Sequence, residues 1–137
     1  MIHVAMPAPT AVVIDDSRVT RRTLGAAIER ADFHVVGEGA SGDELLGLYE
    51  QHRPTVVFID MVMPGKDGLT AAIELLRVHP RALVVMCSAS NARDKIVACV
   101  RAGISSYLLK PFDEEAVAKT LRRVLERVQG PGALAEG

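Results

Sequence analysis

Short apolar runs alternate along this chain with longer segments whose apolar residues recur at helical spacing. The apolar runs, which are rich in Val and Ile, predict five strands: Ala11–Ile14, His34–Gly37, Val56–Ile59, Leu83–Cys87 and Ser106–Leu109. Several of these runs are apolar throughout, without polar residues at alternate positions. That pattern is typical of a parallel sheet whose two faces are both covered by helices.

The segments between the strands predict five helices: Ser17–Ala31, Ser41–His52, Asp67–His79, Asn91–Ala102 and Asp113–Val128. Residues at their ends are typical helix signals. Ser41 and Glu44 have the spacing of a capping box, Asn91 is a suitable N-cap, and Gly103 suits the position after a helix. The strict alternation of strands and helices predicts an α/β fold, with an open parallel sheet between two helical layers.

The length of 137 residues fits one domain. We predict an N-terminal tail over 1–9, the domain over 10–129, and a Gly-rich C-terminal tail or the start of a linker over 130–137. Since no second periodic apolar region follows Val128, we expect no DNA-binding output domain in this chain. A stand-alone domain and one excised from a longer regulator both remain open.

Composition narrows the class of partner. The formal net charge is −1, which gives no general electrostatic reason to bind nucleic acid or an anionic membrane. No run reaches the about 18 apolar residues of a membrane span, so we expect no membrane insertion and a cytoplasmic location. Cys87 and Cys99 are too few for a disulfide framework and are predicted to be buried apolar residues.

Chemically capable side chains follow four of the predicted strands. Asp15 and Asp16 follow the first strand, Asp60 the third, Ser88 the fourth and Lys110 the fifth. In open parallel sheets, ligands bind beyond the carboxyl ends of the strands, so these side chains are expected to converge. Any one of them could be a cap, turn or surface residue, but the joint pattern indicates a site.

The residue types at this edge indicate phosphoryl chemistry. Grouped carboxylates repel one another and need a cation, and oxygen ligands without imidazole or thiolate favour Mg²⁺, with Mn²⁺ as an alternative. An aspartate can attack phosphorus to form an acyl phosphate. A lysine and a hydroxyl can then stabilise the charge that develops on the phosphoryl oxygens.

Four sequence blocks resemble the signatures of receiver domains from two-component response regulators. The blocks are VVIDDS (12–17), VVFIDMVMPGKDG (56–68), CSAS (87–90) and YLLKPF (107–112), and the resemblance extends over roughly 10–128. It implies a flavodoxin-like (βα)5 fold with strand order 2-1-3-4-5. It also implies a phosphoacceptor domain that receives its phosphoryl group from a sensor histidine kinase or a histidine phosphotransfer protein and signals to a downstream protein target.

The same resemblance implies a metal site. Asp16 and Asp60 would bind Mg²⁺ directly, Asp15 mainly through water, and the backbone carbonyl of Val62 would complete the protein ligands.

It also assigns the phosphoryl contacts. Asp60 would be the phosphoacceptor, Ser88 would hydrogen-bond one phosphoryl oxygen, and Lys110 would pair with another. The peptide bond between Lys110 and Pro111 is expected to be cis.

The resemblance further implies a switch. Ser88 would move towards the phosphoryl group, and the ring of Tyr107 would turn from an outward to an inward position. The surface formed by the fourth helix, fifth strand and fifth helix would then change for partner binding. In the family, the positions of Val62 and Ser90 commonly carry an amide or an acid that holds the attacking water. Neither residue here is of that type, so we predict slow loss of phosphate.

Three arginines, Arg18, Arg21 and Arg22, lie early in the first helix. They could form a solvated surface, or they could contact an acidic or phosphohistidine-bearing partner.

Two other functions are alternatives to the signalling interpretation. A Mg²⁺-dependent phosphohydrolase usually has a second Asp two residues after its nucleophile, where this chain has Val62. An interaction module that is never phosphorylated would be favoured by loss of the acids or of Lys110, and all are present. We therefore predict a signalling receiver that catalyses only its own phosphorylation and dephosphorylation.

Overall fold

The computed structural model describes residues 7–129. The five strands are β1 (Thr10–Ile14), β2 (His34–Gly39), β3 (Val56–Asp60), β4 (Val84–Ser88) and β5 (Ser106–Leu109). The five α-helices are α1 (Arg18–Arg30), α2 (Leu45–His52), α3 (Gly68–Val78), α4 (Arg93–Ala102) and α5 (Glu114–Gln129). Residues 1–6 of the predicted N-terminal tail and all of the predicted C-terminal tail, 130–137, lie outside the described residues.

The strands form one parallel sheet in the order β2-β1-β3-β4-β5, as predicted. β2 is added on one side of β1, and β3, β4 and β5 are then added in turn on the other side, so β1 and β3 lie next to each other. Their register pairs Ile14 with Ile59, and the register between β3 and β4 pairs Asp60 with Cys87. The carboxyl ends of the three central strands therefore meet at one edge.

Hydrophobic cores lie on both faces of the sheet. On one face, α1 and α5 pack over side chains that include Val13, Phe58 and Val85. On the other face, α2, α3 and α4 pack over Val57 and Ile59, among others. The central strands are buried throughout, which explains why their sequences are apolar at consecutive positions. Both cysteines are buried, as predicted.

The start of α4 differs from the prediction. Asn91 does not cap this helix, which begins at Arg93 after Ala92 and has no side-chain cap. Two serine hydroxyls shape the preceding loop instead: Ser88 Oγ accepts from the Ser90 N–H at 3.1 Å, and Ser90 Oγ accepts from the Ala92 N–H at 3.2 Å. With these local turns in place, the N-cap position lies one residue later than predicted, at Ala92 instead of Asn91.

The other helix ends follow the sequence signals more closely. Ser41 and Glu44 form the predicted capping box, but it encloses a 3₁₀ turn, Gly42–Glu44, that precedes α2. Gly103 ends α4 with a φ of 90°, a conformation that favours glycine. In the described part of the chain, no helix is both long enough and apolar enough to cross a membrane.

Candidate functional site at the carboxyl edge of the sheet

Three carboxylates meet at the carboxyl edge of the sheet. Asp15 and Asp16 follow β1, Asp60 ends β3, and one oxygen from each lies within 4.8 Å of the others. Asp15 and Asp60 are buried, whereas Asp16 is exposed to solvent. The structure thus brings together the three acids that the sequence predicts as metal ligands. The three acids offer only hard oxygen atoms, and the exposed Asp16 makes the cluster reachable from solvent, which fits Mg²⁺.

Lys110 joins this cluster from the end of β5. Its Nζ lies 2.9 Å from Asp15 Oδ2 and 3.2 Å from Asp60 Oδ1, so one ammonium bridges two buried acids. Burial disfavours the charged form of Lys110, but the hydrogen bond and charge of Asp15, together with the charge of Asp60, outweigh it and raise its pKa. The lysine therefore remains a cation at neutral pH. The following peptide bond, Lys110–Pro111, is cis as predicted.

Asp60 lies in an environment that disfavours its negative charge. Burial and then the charge of Asp15 raise the pKa of Asp60, and these effects outweigh the opposing contributions of Lys110 and of the Val62 backbone N–H. A buried carboxylate with a raised pKa beside a lysine is a common arrangement at reactive sites. An added cation would relieve the repulsion between the acids.

This environment predicts that Asp60→Asn stabilises the Mg²⁺-free protein at pH 7. A carboxyl group whose pKa is raised by folding favours the folded state when protonated, and this contribution is lost as pH rises through the folded-state pKa. Since Asn stays neutral, the free energy of unfolding of Asp60→Asn should exceed that of wild type at pH 7. The difference should shrink as pH falls through the pKa of Asp60.

Urea unfolding from pH 4 to pH 8 in the presence of EDTA would measure this difference. Asp67→Asn is the control, because Asp67 is an exposed N-cap of α3 and Asn also caps helices. A lower stability of Asp60→Asn at pH 7 would show that the Lys110 ion pair outweighs burial.

Ser88 and Tyr107 are linked through the loop after β4. Ser88 is buried at the end of β4, and its hydroxyl accepts from the Ser90 N–H. The Tyr107 hydroxyl donates to the Ser90 carbonyl at 2.5 Å, and its half-buried ring packs against the core beneath α3 and α4. The hydrogen bond between this hydroxyl and the Ser90 carbonyl therefore holds the ring against the β4–α4 loop.

Val62 projects from the loop after β3. Its side chain is 68% exposed and lines a cavity of about 360 Å³ together with Met61, Met63 and residues of α4. The position two residues after Asp60 therefore presents methyl groups to solvent. Ser90, the other residue predicted to affect the loss of phosphate, already uses its hydroxyl to accept a hydrogen bond from the Ala92 N–H.

Gly68, the first residue of α3, lies directly against the backbone of Asp60. A Cβ atom at this residue would lie 2.1 Å from the Asp60 carbonyl oxygen and 3.0 Å from Met61 Cα. The Gly68 N–H also donates to the Met61 carbonyl at 2.9 Å, which closes the loop between β3 and α3. The predicted helix Asp67–His79 contains this glycine near its start, but no sequence signal indicates its contact with the backbone of Asp60.

The three arginines of α1 occupy different environments. Arg18 and Arg22 are exposed, whereas Arg21 is largely buried and contacts both the Asp15 carbonyl and Glu38. Together with Glu38 and Glu44 they line a cavity of about 490 Å³. The three arginines look alike in the sequence, and only the structure shows that Arg21 differs from the other two in its burial and contacts.

The sequence is similar to known signalling proteins. Residues 11–122 match the family model described as the response regulator receiver domain. The chain is 32% identical to protein CcdB of Bacillus subtilis over 114 residues, which cover 83% of this chain and 95% of that protein. It is 29% identical to the chemotaxis protein CheY of Thermotoga maritima over 113 residues, covering 82% of this chain and 94% of CheY.

Solved structures show the same fold. The receiver domain of the putative response regulator NarL from Mycobacterium tuberculosis matches with a TM-score of 0.80 and 28% identity, covering 90% of this chain and 99% of that one. CheY in the CheX–CheY–BeF₃–Mg²⁺ complex from Borrelia burgdorferi matches with a TM-score of 0.79 and 27% identity, over 88% of this chain and 89% of that one. Together with the family match over 11–122, these similarities show that the chain belongs to the response-regulator receiver domain family of two-component signalling.

Proposed function

We propose that this domain accepts a phosphoryl group on Asp60 from a phosphohistidine-bearing protein and passes the signal to a downstream protein. The observation that carries the proposal is the position of Asp60 beside two further acids and Lys110, whose Nζ lies 3.2 Å from Asp60 Oδ1. A structural ion pair would need neither the exposed Asp16 nor an opening to solvent.

The proposed step is a displacement at phosphorus. A carboxylate oxygen of Asp60 forms the new O–P bond while the P–N bond to the donor imidazole breaks, and the electron pair of that bond remains on the imidazole nitrogen. Lys110 lies close enough to Asp60 to neutralise charge on one phosphoryl oxygen, and the Ser88 hydroxyl would donate to another. In this proposed function, the domain promotes only its own phosphorylation and dephosphorylation.

The receiver family binds Mg²⁺, and the acids of this chain fit that ion. We assign direct coordination to Asp16, Asp60 and the Val62 carbonyl, with Asp15 acting mainly through water. When bound, Mg²⁺ would supply positive charge to the acids and to the phosphoryl oxygens. The side chain of Asp15 already accepts hydrogen bonds from the Ser17 N–H at 2.8 Å and from Lys110 at 2.9 Å, which supports its indirect role.

A groove beside Lys110 suits a protein phosphodonor. It has a volume of about 430 Å³ and is lined mainly by apolar groups of α1 and of the loops that follow β4 and β5, including Val19, Ala89, Pro111 and Phe112. Val19 is 74% exposed, so the groove presents an apolar side chain that a partner could cover. This groove supports docking of a histidine kinase or a histidine phosphotransfer protein next to Asp60.

Intact-mass measurement tests the proposed function. Incubation with acetyl phosphate and Mg²⁺ should add one phosphoryl group, and EDTA should prevent its addition. A protein that gains no phosphoryl group from acetyl phosphate or from a phosphorylated histidine phosphotransfer protein would favour the interaction module that is never phosphorylated.

The downstream signal is proposed to leave through α4, β5 and α5. Val100 and Leu109 are exposed on α4 and β5, and the exposed Lys119 and Arg123 lie on α5. Tyr107 connects this surface to the loop that contains Ser90. A surface that combines exposed apolar side chains with charged ones is suited to a protein partner.

We predict that a phosphoryl mimic alters this surface more than the rest of the domain. Beryllofluoride with Mg²⁺ should change the amide chemical shifts of α4, β5 and α5, and Tyr107→Ala should reduce those distant changes while the shifts near Asp60 remain. Tyr49→Ala is the control, because Tyr49 lies on α2 and contacts His79 at the end of α3, outside the elements of this surface. Changes confined to the neighbours of Asp60 would contradict the proposed output surface.

The phosphorylated form is predicted to be long-lived. Hydrolysis of the acyl phosphate requires a water held in line with the breaking P–O bond. Val62 offers only methyl groups, and the Ser90 hydroxyl is engaged by the Ala92 N–H. Val62→Asn or Ser90→Glu should therefore speed decay by at least about threefold, or roughly 0.7 kcal/mol in barrier.

A decay time course of the purified phosphoprotein measures this effect. Val78→Asn is the matched control, because Val78 is another exposed valine, at the end of α3. If neither substitution speeds decay, the two positions do not control the attacking water. Decay of wild type within seconds would contradict the prediction as well.

A further inference from the structure

The turn that joins β1 to α1 is held through the backbone and side chain of Asp15. The Asp15 N–H donates to the Gly39 carbonyl at 3.0 Å, and the Asp15 carbonyl accepts from Arg21 Nη1 at 2.6 Å. Its carboxylate accepts from the Ser17 N–H and from Lys110. Every polar group of Asp15 is therefore engaged by the protein itself.

Asp16 is in the opposite situation. Its side chain is exposed, and among residues 7–129 it makes no hydrogen bond or ion pair, although its carboxylate belongs to the acidic cluster. Its direction is therefore set by the backbone that carries it. The peptide plane between Asp15 and Asp16 is rigid, so the contact made by the Asp15 carbonyl helps to determine where the Cα of Asp16 lies.

Arg21 supplies that contact from within α1. Its side chain is only 17% exposed, and its Nε lies 3.3 Å from Glu38 Oε1 on β2. The guanidinium thus spans from Glu38 to the Asp15 carbonyl, and its planar fork allows both bonds at once. The adjacent Arg22 is exposed and makes no such contact within the described residues.

We propose that Arg21 is a positioning residue for Mg²⁺ binding, which acts by orienting the peptide between Asp15 and Asp16. This inference rests on the proposed function, since the ion concerned is the one that phosphoryl transfer would use. Partners that orient metal ligands commonly change metal affinity by 10–100-fold when removed. Because Arg21 acts through the backbone, we expect the lower end of that range.

A purely electrostatic effect of Arg21 and a positioning effect predict opposite changes in Mg²⁺ affinity, so the two can be distinguished by experiment. Removing a positive charge close to a cation site should tighten cation binding, whereas removing a positioning contact should weaken it. Arg21→Met keeps most of the side-chain length but loses the charge and both hydrogen bonds. We expect it to weaken Mg²⁺ binding by about tenfold, and Arg21→Lys, which can still donate to the Asp15 carbonyl, to recover part of the loss.

Two controls separate positioning from other effects. Arg22→Met removes the same charge one residue further along and should leave the Mg²⁺ affinity within twofold of wild type. Ile28→Val trims a buried side chain of the same helix and should lower the melting temperature without changing the affinity. The metal-free amide shift of Asp16 should change in Arg21→Met and not in Arg22→Met.

Calorimetric titration with MgCl₂ in the absence of any phosphodonor provides the affinity. Labelling by acetyl phosphate provides a second readout: Arg21→Met should need about tenfold more Mg²⁺ for half-maximal rate and should approach the wild-type rate at saturation. Unchanged or tighter Mg²⁺ binding in Arg21→Met, or a labelling defect that saturating Mg²⁺ does not correct, would overturn the proposal. Failure of wild type to become labelled would overturn the proposed function and leave the titration result intact.

Discussion

Asp60→Asn should lower the rate of phosphoryl incorporation from acetyl phosphate by at least about 100-fold, which corresponds to about 2.7 kcal/mol in barrier. The reason is chemical: an amide oxygen carries no full negative charge and is a far weaker nucleophile than a carboxylate. The substitution preserves the shape of a buried side chain, so the loss would report chemistry and not folding. Intact mass against time measures the rate.

Asp67→Asn is the matched control for this experiment. It makes the same chemical change a few residues away, at an exposed N-cap whose function Asn can retain, and should be labelled at the wild-type rate. If Asp60→Asn is still labelled, peptide mapping would show whether Asp15 or Asp16 takes the phosphoryl group. Labelling of the variant at the wild-type rate would exclude Asp60 as the acceptor.

Gly68→Ala should destabilise the domain by about 1–3 kcal/mol and impair labelling at Asp60 in the fraction that remains folded. The added methyl group would meet the Asp60 carbonyl oxygen at 2.1 Å, so α3 or the end of β3 must move. Since the displaced atom belongs to the backbone of Asp60, a shift that relieves the clash would also alter the geometry of the site. Urea unfolding and labelling rate provide the two measurements.

Gly47→Ala is the control for a methyl group added to a helical glycine. Gly47 lies within α2, and a Cβ atom there would meet nothing within 4 Å. Alanine is the better helix former by about 1 kcal/mol, so this variant should be more stable than wild type and equally active. If Gly68→Ala proved as stable as Gly47→Ala, α3 would have to accommodate a side chain at its first residue without displacing Asp60.

Much of the fold was predictable from local patterns. Buried parallel strands are apolar at consecutive positions, as in β3 and β4, and helices show apolar residues at helical spacing. Because parallel strands present their carboxyl ends at one edge, the order of strands and acids along the chain predicted that Asp15, Asp16, Asp60 and Lys110 would meet. The strand order came from the resemblance to receiver domains, and the structure confirms it.

Only the structure decided which of several available hydrogen bonds form around the β4–α4 loop. Asn91 has the right chemistry for an N-cap, but the hydroxyls of Ser88 and Ser90 hold the preceding loop and move the helix start to Arg93. The orientation of Tyr107 likewise depends on a carbonyl 17 residues away. The two serine turns are local and compete directly with an Asn91 cap, whereas the Tyr107 hydrogen bond becomes available only after β4 and β5 are paired.

The sequence by itself determined which residue types reach the carboxyl edge of the sheet, because strand periodicity and chain order dictate that placement. It could not determine how tightly the surrounding backbone packs, or which of three similar arginines supports it. Gly68 lies against the Asp60 carbonyl and Arg21 joins Asp15 to Glu38 only because β1, β2, α1 and α3 come together in the folded domain. Those details depend on close packing and hydrogen bonds between separate elements. Such contacts leave no periodic pattern along the chain.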